Sequence, residues 1–259
     1  MTRREFRIIF GQGGGPSVDY ITRRKPTRRH FKTIHRGGVL PCAVGFWGSY
    51  TQVNWASGID FPATWTKLLS RNKDNLSKCH VLVCGRYSFA TPYAAHPTTS
   101  AEFTAVSNWI NGGGVLFVLH DYYGAPSSIP SSPVTELNTF LAGISAQVRA
   151  VVTASPEPNT TDFPVGTFNT SVSHPLLDGV DKLWTSAPGR MSLGTATLLF
   201  EARRPPSFPY AKILSVESYG AGSVVFCADD SMVNNSAAAS AISGSGNKIN
   251  VFLENLCNH

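Results

Sequence analysis

From Val39 onward, short apolar runs alternate with capped, helix-period stretches. Val39 to Phe46 reads as a buried strand with an early proline, Pro41. Asp60 can cap a helix through Trp65, Leu68 and Leu69 that ends near Arg71. His80 to Gly85 is a continuous apolar strand. Thr99-Ser100-Ala101-Glu102 has the spacing of a capping box, in which the Thr and Glu side chains satisfy each other's orphan N–H groups. The helix it opens carries Phe103, Val106 and Ile110 inward and stops at Gly112-Gly113-Gly114. One of those glycines is expected at positive φ, where a helix ends most readily. Val115 to Leu119 is again wholly apolar. Five-residue apolar runs alternating with capped helices predict parallel strands buried on both faces, hence a doubly wound, mostly parallel α/β sheet.

The second half is less regular. Ser132-Pro133 starts a helix bearing Leu137 and Leu141, with proline at its favoured first position. Gln147 to Thr153 alternates like a strand, and residues 154–171, rich in Pro, Thr and Asn, read as a surface loop. Ala196–Ala202, Lys212–Ser218 and Gly222–Ala228 predict three strands, the last two joined as a hairpin through Tyr219-Gly220-Ala221-Gly222. Ile249, Phe252, Leu253 and Leu256 mark a final amphipathic helix. No internal repeat divides this region.

Charge changes the picture at the other end. The 259 residues carry a net charge of +6, but residues 1–36 alone hold ten cations: Arg3, Arg4, Arg7, Arg23, Arg24, Lys25, Arg28, Arg29, Lys32 and Arg36. Against them stand only Glu5 and Asp19, so the segment is +8 and the remainder −2. With Gly11 to Gly15 and prolines at 16 and 26, residues 1–38 form an irregular basic arm rather than a domain, and residues 39–259 form the α/β body. The arm is expected to dock on protein subunits of a larger assembly. Its cations, interleaved with Tyr20, His30 and Phe31, also suit phosphate neutralisation and base stacking, which keeps nucleic acid as a second partner.

Composition excludes other classes. No apolar run approaches the roughly 18 residues of a membrane helix, and the amino-terminal stretch lacks a signal-peptide core, so a cytoplasmic or particle-associated protein is expected. At this length a core can bury roughly 70–75% of the unfolded surface without a metal or a disulfide. Cys42, Cys79, Cys84, Cys227 and Cys257 are widely spaced with no C-x-x-C pair. Cys84 and Cys227 sit in apolar runs as inert core residues, and a reducing compartment is the expected setting. No two of the seven histidines share a helix at metal-ligand spacing, no Walker loop follows Gly11 to Gly15, and no G-x-S-x-G elbow occurs, so no metal or cofactor is expected.

Three stretches taken in order resemble the class I glutamine amidotransferase-like superfamily. They are His80 to Asp121; Ser173-His174-Pro175-Leu176-Leu177-Asp178-Gly179-Val180; and Gly222 to Ser231 followed by Asn234 and Asn247 to Leu256. The second is similar to an element of its trehalose-utilisation-like and gliding-motility-associated branches. The resemblance covers about residues 39–257 and implies a flavodoxin/amidotransferase-like fold. In glutaminase members of the family, a nucleophilic cysteine follows the strand after the glycine-rich turn. His120-Asp121-Tyr122-Tyr123-Gly124 stands there instead, and Asp229-Asp230-Ser231 replaces the later His and Glu. Amide hydrolysis through a thioester needs a thiolate, so glutaminase activity is not expected.

His120, Asp121, Asp229 and Asp230 remain as candidate catalytic groups at the carboxyl ends of strands, where α/β sheets hold ligands. Tyr122, Tyr123, Ser231 and Asn234 are candidate ligand contacts beside them. Against this, an aspartate after a strand commonly only stabilises the following turn. The leading expectation is a non-catalytic binding or structural module of a virion or other multi-protein particle. The alternative is a carbohydrate-directed enzyme using His120 with Asp229 or Asp230.

Overall fold

A computed structural model describes residues 42–47, 63–68, 76–85, 99–120, 133–151, 166–167, 172–185, 188–202, 211–234 and 248–259. All of them belong to the unit Val39–His259. The arm with its ten cations lies outside the described residues, as do Asp121, Tyr122 and Tyr123.

In chain order the elements are β1 (Cys42–Trp47), β2 (Ala63–Leu68), β3 (Val81–Gly85), α1 (Ser100–Asn111), β4 (Val115–Leu119), α2 (Pro133–Gly143), β5 (Arg149–Val151) and β6 (Gly166–Thr167). A 3-10 turn (Pro175–Leu177) follows, then β7 (Lys182–Leu183), β8 (Arg190–Ser192), β9 (Thr197–Ala202), β10 (Ala211–Tyr219), β11 (Gly222–Cys227), α3 (Ser231–Asn234) and α4 (Ile249–Asn258). Among the described residues, seven strands form one sheet in the order β2-β1-β3-β4-β11-β10-β9. The first five run parallel, and β10 and β9 close the sheet antiparallel. Two short antiparallel pairs, β5 with β8 and β6 with β7, complete the described strands. The α/β class is therefore as the pattern predicts.

The apolar runs alternate between the two faces. Val81, Val83, Val115, Phe117, Leu119 and Val225 meet Ile249, Phe252, Leu253 and Leu256 of α4 on one side. Leu82, Cys84, Leu116, Val118, Val224 and Phe226 meet Val106 and Ile110 of α1 and Leu137, Phe140 and Leu141 of α2 on the other. A strand buried on both faces needs an apolar residue at every position, which is why β3 and β4 read as unbroken runs.

Local signals hold in detail for α1. Its capping box is complete: Glu102 N–H donates to Thr99 Oγ1 at 3.2 Å, and Thr99 N–H donates to Glu102 Oε2 at 3.0 Å. The helix ends as expected at the triple glycine, with Gly113 at φ 109°. Gly222 has a different reason. A Cβ there would collide with the backbone carbonyls of Gly114 and Ile110, so only glycine lets β11 start against the end of α1.

Two expectations are corrected, and one bond is new. Residues 63–68 form strand β2, not part of a helix from Asp60, and pair with β1 from Cys42↔Ala63 to Trp47↔Leu68. Ala-Thr-Trp-Thr-Lys-Leu is rich in strand-favouring residues, and the open edge of β1 offers it a six-residue ladder; tertiary pairing outweighs a weak helical period. The loop expected over 154–171 contains β6 at Gly166–Thr167. The strand expected from Val39 to Phe46 is present as β1 over Cys42–Trp47, and its residues 39–41 lie outside the described residues. Finally, Cys42 and Cys257 form a disulfide across 215 residues, a bond that the wide cysteine spacing does not signal. The fold brings the last turn of α4 beside the start of β1, a proximity that sequence spacing does not encode.

Candidate functional site

The candidate groups come from two neighbouring parallel strands. β4 and β11 are paired with Leu119 opposite Cys227, so His120 and Ala228 are the next residues out at the carboxyl ends. His120 N–H donates to the Cys227 carbonyl at 2.8 Å, which carries the ladder one step beyond β4. Asp229 and Asp230 follow directly and open the turn into α3. The Asp229 carbonyl accepts from Met232 N–H at 3.4 Å and the Asp230 carbonyl from Val233 N–H at 3.1 Å. The fold thus brings His120, Asp229 and Asp230 to one end of the sheet, as the motif order suggests. Ser231 and Asn234 are the first and last residues of α3.

These groups are sealed. His120 is 2% exposed, and Asp229 and Asp230 are 0% exposed. The His120 ring lies 5.9 Å from that of Phe226, centroid to centroid. Burying a carboxylate is costly without partners, so two aspartates here must be held by the surrounding structure. Part of what the turn does is structural. Cys227 Sγ lies 3.2 Å from the Asp229 carbonyl and 3.3 Å from the Met232 sulfur, and Met232 and Val233 are buried in the core.

Neither Cys84 nor Cys227 presents a nucleophile; both are fully buried within strands, as the apolar runs imply. Cys79 is buried at the opposite, amino end of β3, where loss of solvation pushes its thiol up to about 12 despite a backbone hydrogen bond from Gly45. A thiol so protonated is not a nucleophile near neutral pH. Among the described residues, no three His, Cys, Asp or Glu side chains come together as a metal site.

His174 lies elsewhere, in the 3-10 turn. Its Nδ1 accepts from Leu176 N–H at 3.2 Å, so the imidazole caps the turn and is an acceptor there only while that nitrogen is unprotonated. Burial holds its pKa below the usual imidazole value, with the Asp178 carboxylate opposing that shift. Asn255 of α4 clasps the same turn, its Nδ2 donating to the carbonyls of Leu176 at 3.2 Å and Asp178 at 2.7 Å. Two of the family-like motifs therefore meet as a structural joint.

One buried charge escaped the sequence reading. Glu217, on β10, accepts from Gln147 N–H at 2.8 and 3.0 Å and from Val148 N–H at 3.2 Å, with Thr195 Oγ1 at 3.5 Å. It fastens the approach to β5 onto the sheet. The available signal was an acidic residue placed directly after Val216 inside a strand, where a carboxylate is retained only when donors await it.

Comparison with solved structures gives a likeness in fold. The mmIFT52 N-terminal domain superposes with a TM-score of 0.52 at 11% identity, over 77% of this chain and 95% of that one. A cytoplasmic protein from Salmonella typhimurium LT2 follows at TM-score 0.49 and 13% identity, over 81% of this chain and 98% of that one. A ThuA-like protein from Bacteroides uniformis reaches TM-score 0.45 at 12% identity, over 94% and 95%. No family model and no curated protein matches the chain. At 11% identity, the likeness to the mmIFT52 N-terminal domain is one of fold: a mostly parallel sheet flanked by helices.

Proposed function

We propose that the chain is a non-catalytic binding or structural module of a larger assembly, a virion or another multi-protein particle, whose basic arm docks on neighbouring subunits. The observation that carries this reading is the burial of His120, Asp229 and Asp230. General acid–base groups must reach the reacting atoms, and these are closed off from a solvent-borne substrate. The body is a doubly wound, amidotransferase-like sheet in this reading. Its strand order reverses between β1 and β3, as in flavodoxin-like sheets, and helices lie on both faces. The charge separation, +8 in residues 1–36 against −2 in the rest, supports partner binding through the arm.

The test is the native mass of the intact assembly, with the full chain compared against a variant carrying Gln at Arg23, Arg24, Lys25, Arg28 and Arg29. Loss of the chain from the assembly, together with weakening of the wild-type contact as salt rises, is the expected result. An assembly unchanged by the substitutions overturns the role of the arm, and sensitivity to nuclease assigns the contact to nucleic acid. The convergence of His120 with Asp229 and Asp230 on adjacent strand ends favours a second reading, carbohydrate hydrolysis. It requires glycoside turnover by the purified chain that is lost in His120→Ala.

A further inference from the structure

The far end of α4 is held differently from its beginning. Ile249, Phe252 and Leu253 are buried against the sheet, with the Phe252 ring 5.9 Å from that of Phe117. The last turn adds ties of another kind. Cys257 is bonded to Cys42, Asn255 donates to the Leu176 and Asp178 carbonyls, and the His259 ring lies 5.3 Å from that of His174. The disulfide thus completes a joint of three elements: the start of β1, the 3-10 turn and the end of α4. The two residues it joins differ in exposure: Cys42 is buried while Cys257 is partly exposed. Cys79, Cys84 and Cys227 are buried and unbridged, so they do not compete for a reagent at the surface.

We propose that the Cys42–Cys257 bond is a redox-operated clasp. Oxidised, it holds the last turn of α4 and the 3-10 turn to the start of β1; reduced, that joint loosens while the apolar half of α4 and the central strands stay packed. The reductant is a dithiol. Its thiolate attacks Sγ of Cys257, the more exposed residue of the pair; the S–S bond breaks, and Cys42 leaves as a thiolate that takes up a proton. The second thiol of the reductant then closes its own disulfide and releases the Cys257 thiol. Two electrons and two protons pass to the protein, and the dithiol is oxidised. This clasp does not depend on the assembly reading, because every group in it belongs to the body.

The experiment uses the full-length, natively folded chain. Intact mass and native alkylation are measured before and after dithiothreitol, with amide hydrogen exchange followed by peptide. The expected result is no label on the oxidised chain and, after reduction, label at Cys257 and Cys42 alone. Exchange in 254–258 and 174–178 should rise by about tenfold or more, with 115–119 and 223–227 remaining the best protected of these segments. Cys257→Ser should reproduce the reduced pattern and ignore the dithiol. An air-oxidised chain without the bond overturns the clasp, as does exchange that reduction leaves unaltered. Joint opening of β4 and β11 on reduction, or a Cys257→Ser chain that is globally unfolded, also overturns it, because the bond is then a staple of the whole body.

Discussion

The two faces of the sheet are covered by the same kind of element and held by different means. On one face, α1 lies between the strands it covers in sequence. It begins at a complete capping box and ends in a glycine turn that leads straight into β4. Its instructions are local, written within residues 99–115. On the other face, α4 comes from the carboxyl end of the chain and has no side-chain cap at its start. Beyond its apolar stripe it is tied by partners 77 to 79 residues away through Asn255, and 215 away through Cys257. Both faces rest on extensive buried apolar clusters; α1 is positioned by signals beside it in the sequence, whereas α4 adds ties to distant residues.

That contrast can be broken hardest at Gly222, where the locally encoded face meets β11. Gly222→Val places a side chain into the Gly114 and Ile110 carbonyls, and it should cost more than about 4 kcal/mol, among the severe point changes. Urea unfolding of the variant checks it, and near-normal stability would mean that β11 can start elsewhere. The opposite face is next. Cys257→Ser removes a cross-link closing a loop of 215 residues and should cost about 2–4 kcal/mol relative to the oxidised chain. The same unfolding curves, recorded with and without dithiothreitol, should converge for the two proteins once the wild type is reduced.

Smaller effects sharpen the comparison. Thr99→Ala loses the side-chain acceptor of the capping box and should cost about 1 kcal/mol. Thr99→Ser should restore most of it, because the hydroxyl is what matters. The smallest effect is expected from pH at the joint of the other face. The folded state holds the His174 pKa below its unfolded value of about 6.5, so the folded state binds the proton less well. Its contribution is fully present above that unfolded value and is lost as pH falls towards the lowered folded one. Stability followed from pH 7.5 to 5 should therefore decline less in His174→Asn, whose amide oxygen can accept from Leu176 N–H without titrating. Equal decline in both proteins would place the pH dependence elsewhere.

Legibility followed range. β3, β4 and β11 were readable because burial on both faces demands apolar residues at every position. α1 was readable because its cap, stripe and glycine stop lie within sixteen residues. β2 was misread because six residues of mixed pattern take their form from a neighbour, the free edge of β1, and not from themselves. The candidate site was legible as a list: His120, Asp229 and Asp230 stand at predicted strand ends, and β4 and β11 do lie side by side. Their complete burial was not legible, because exposure depends on everything packed above a strand end. Glu217 was missed for the same reason, its donors lying about 70 residues away.

By itself, then, the chain determined the class of fold, the helix boundaries around residues 99–115 and the concentration of positive charge in residues 1–36. Each of these follows from hydrophobic period, capping chemistry and charge, which act over a few residues. The tertiary structure alone decided the strand order, the edge strand β2, the Cys42–Cys257 bond and the joint of Asn255 and His174 around the 3-10 turn. Those depend on which distant segments meet once the apolar surfaces are buried, and a pairing across 215 residues leaves no periodic mark in the sequence.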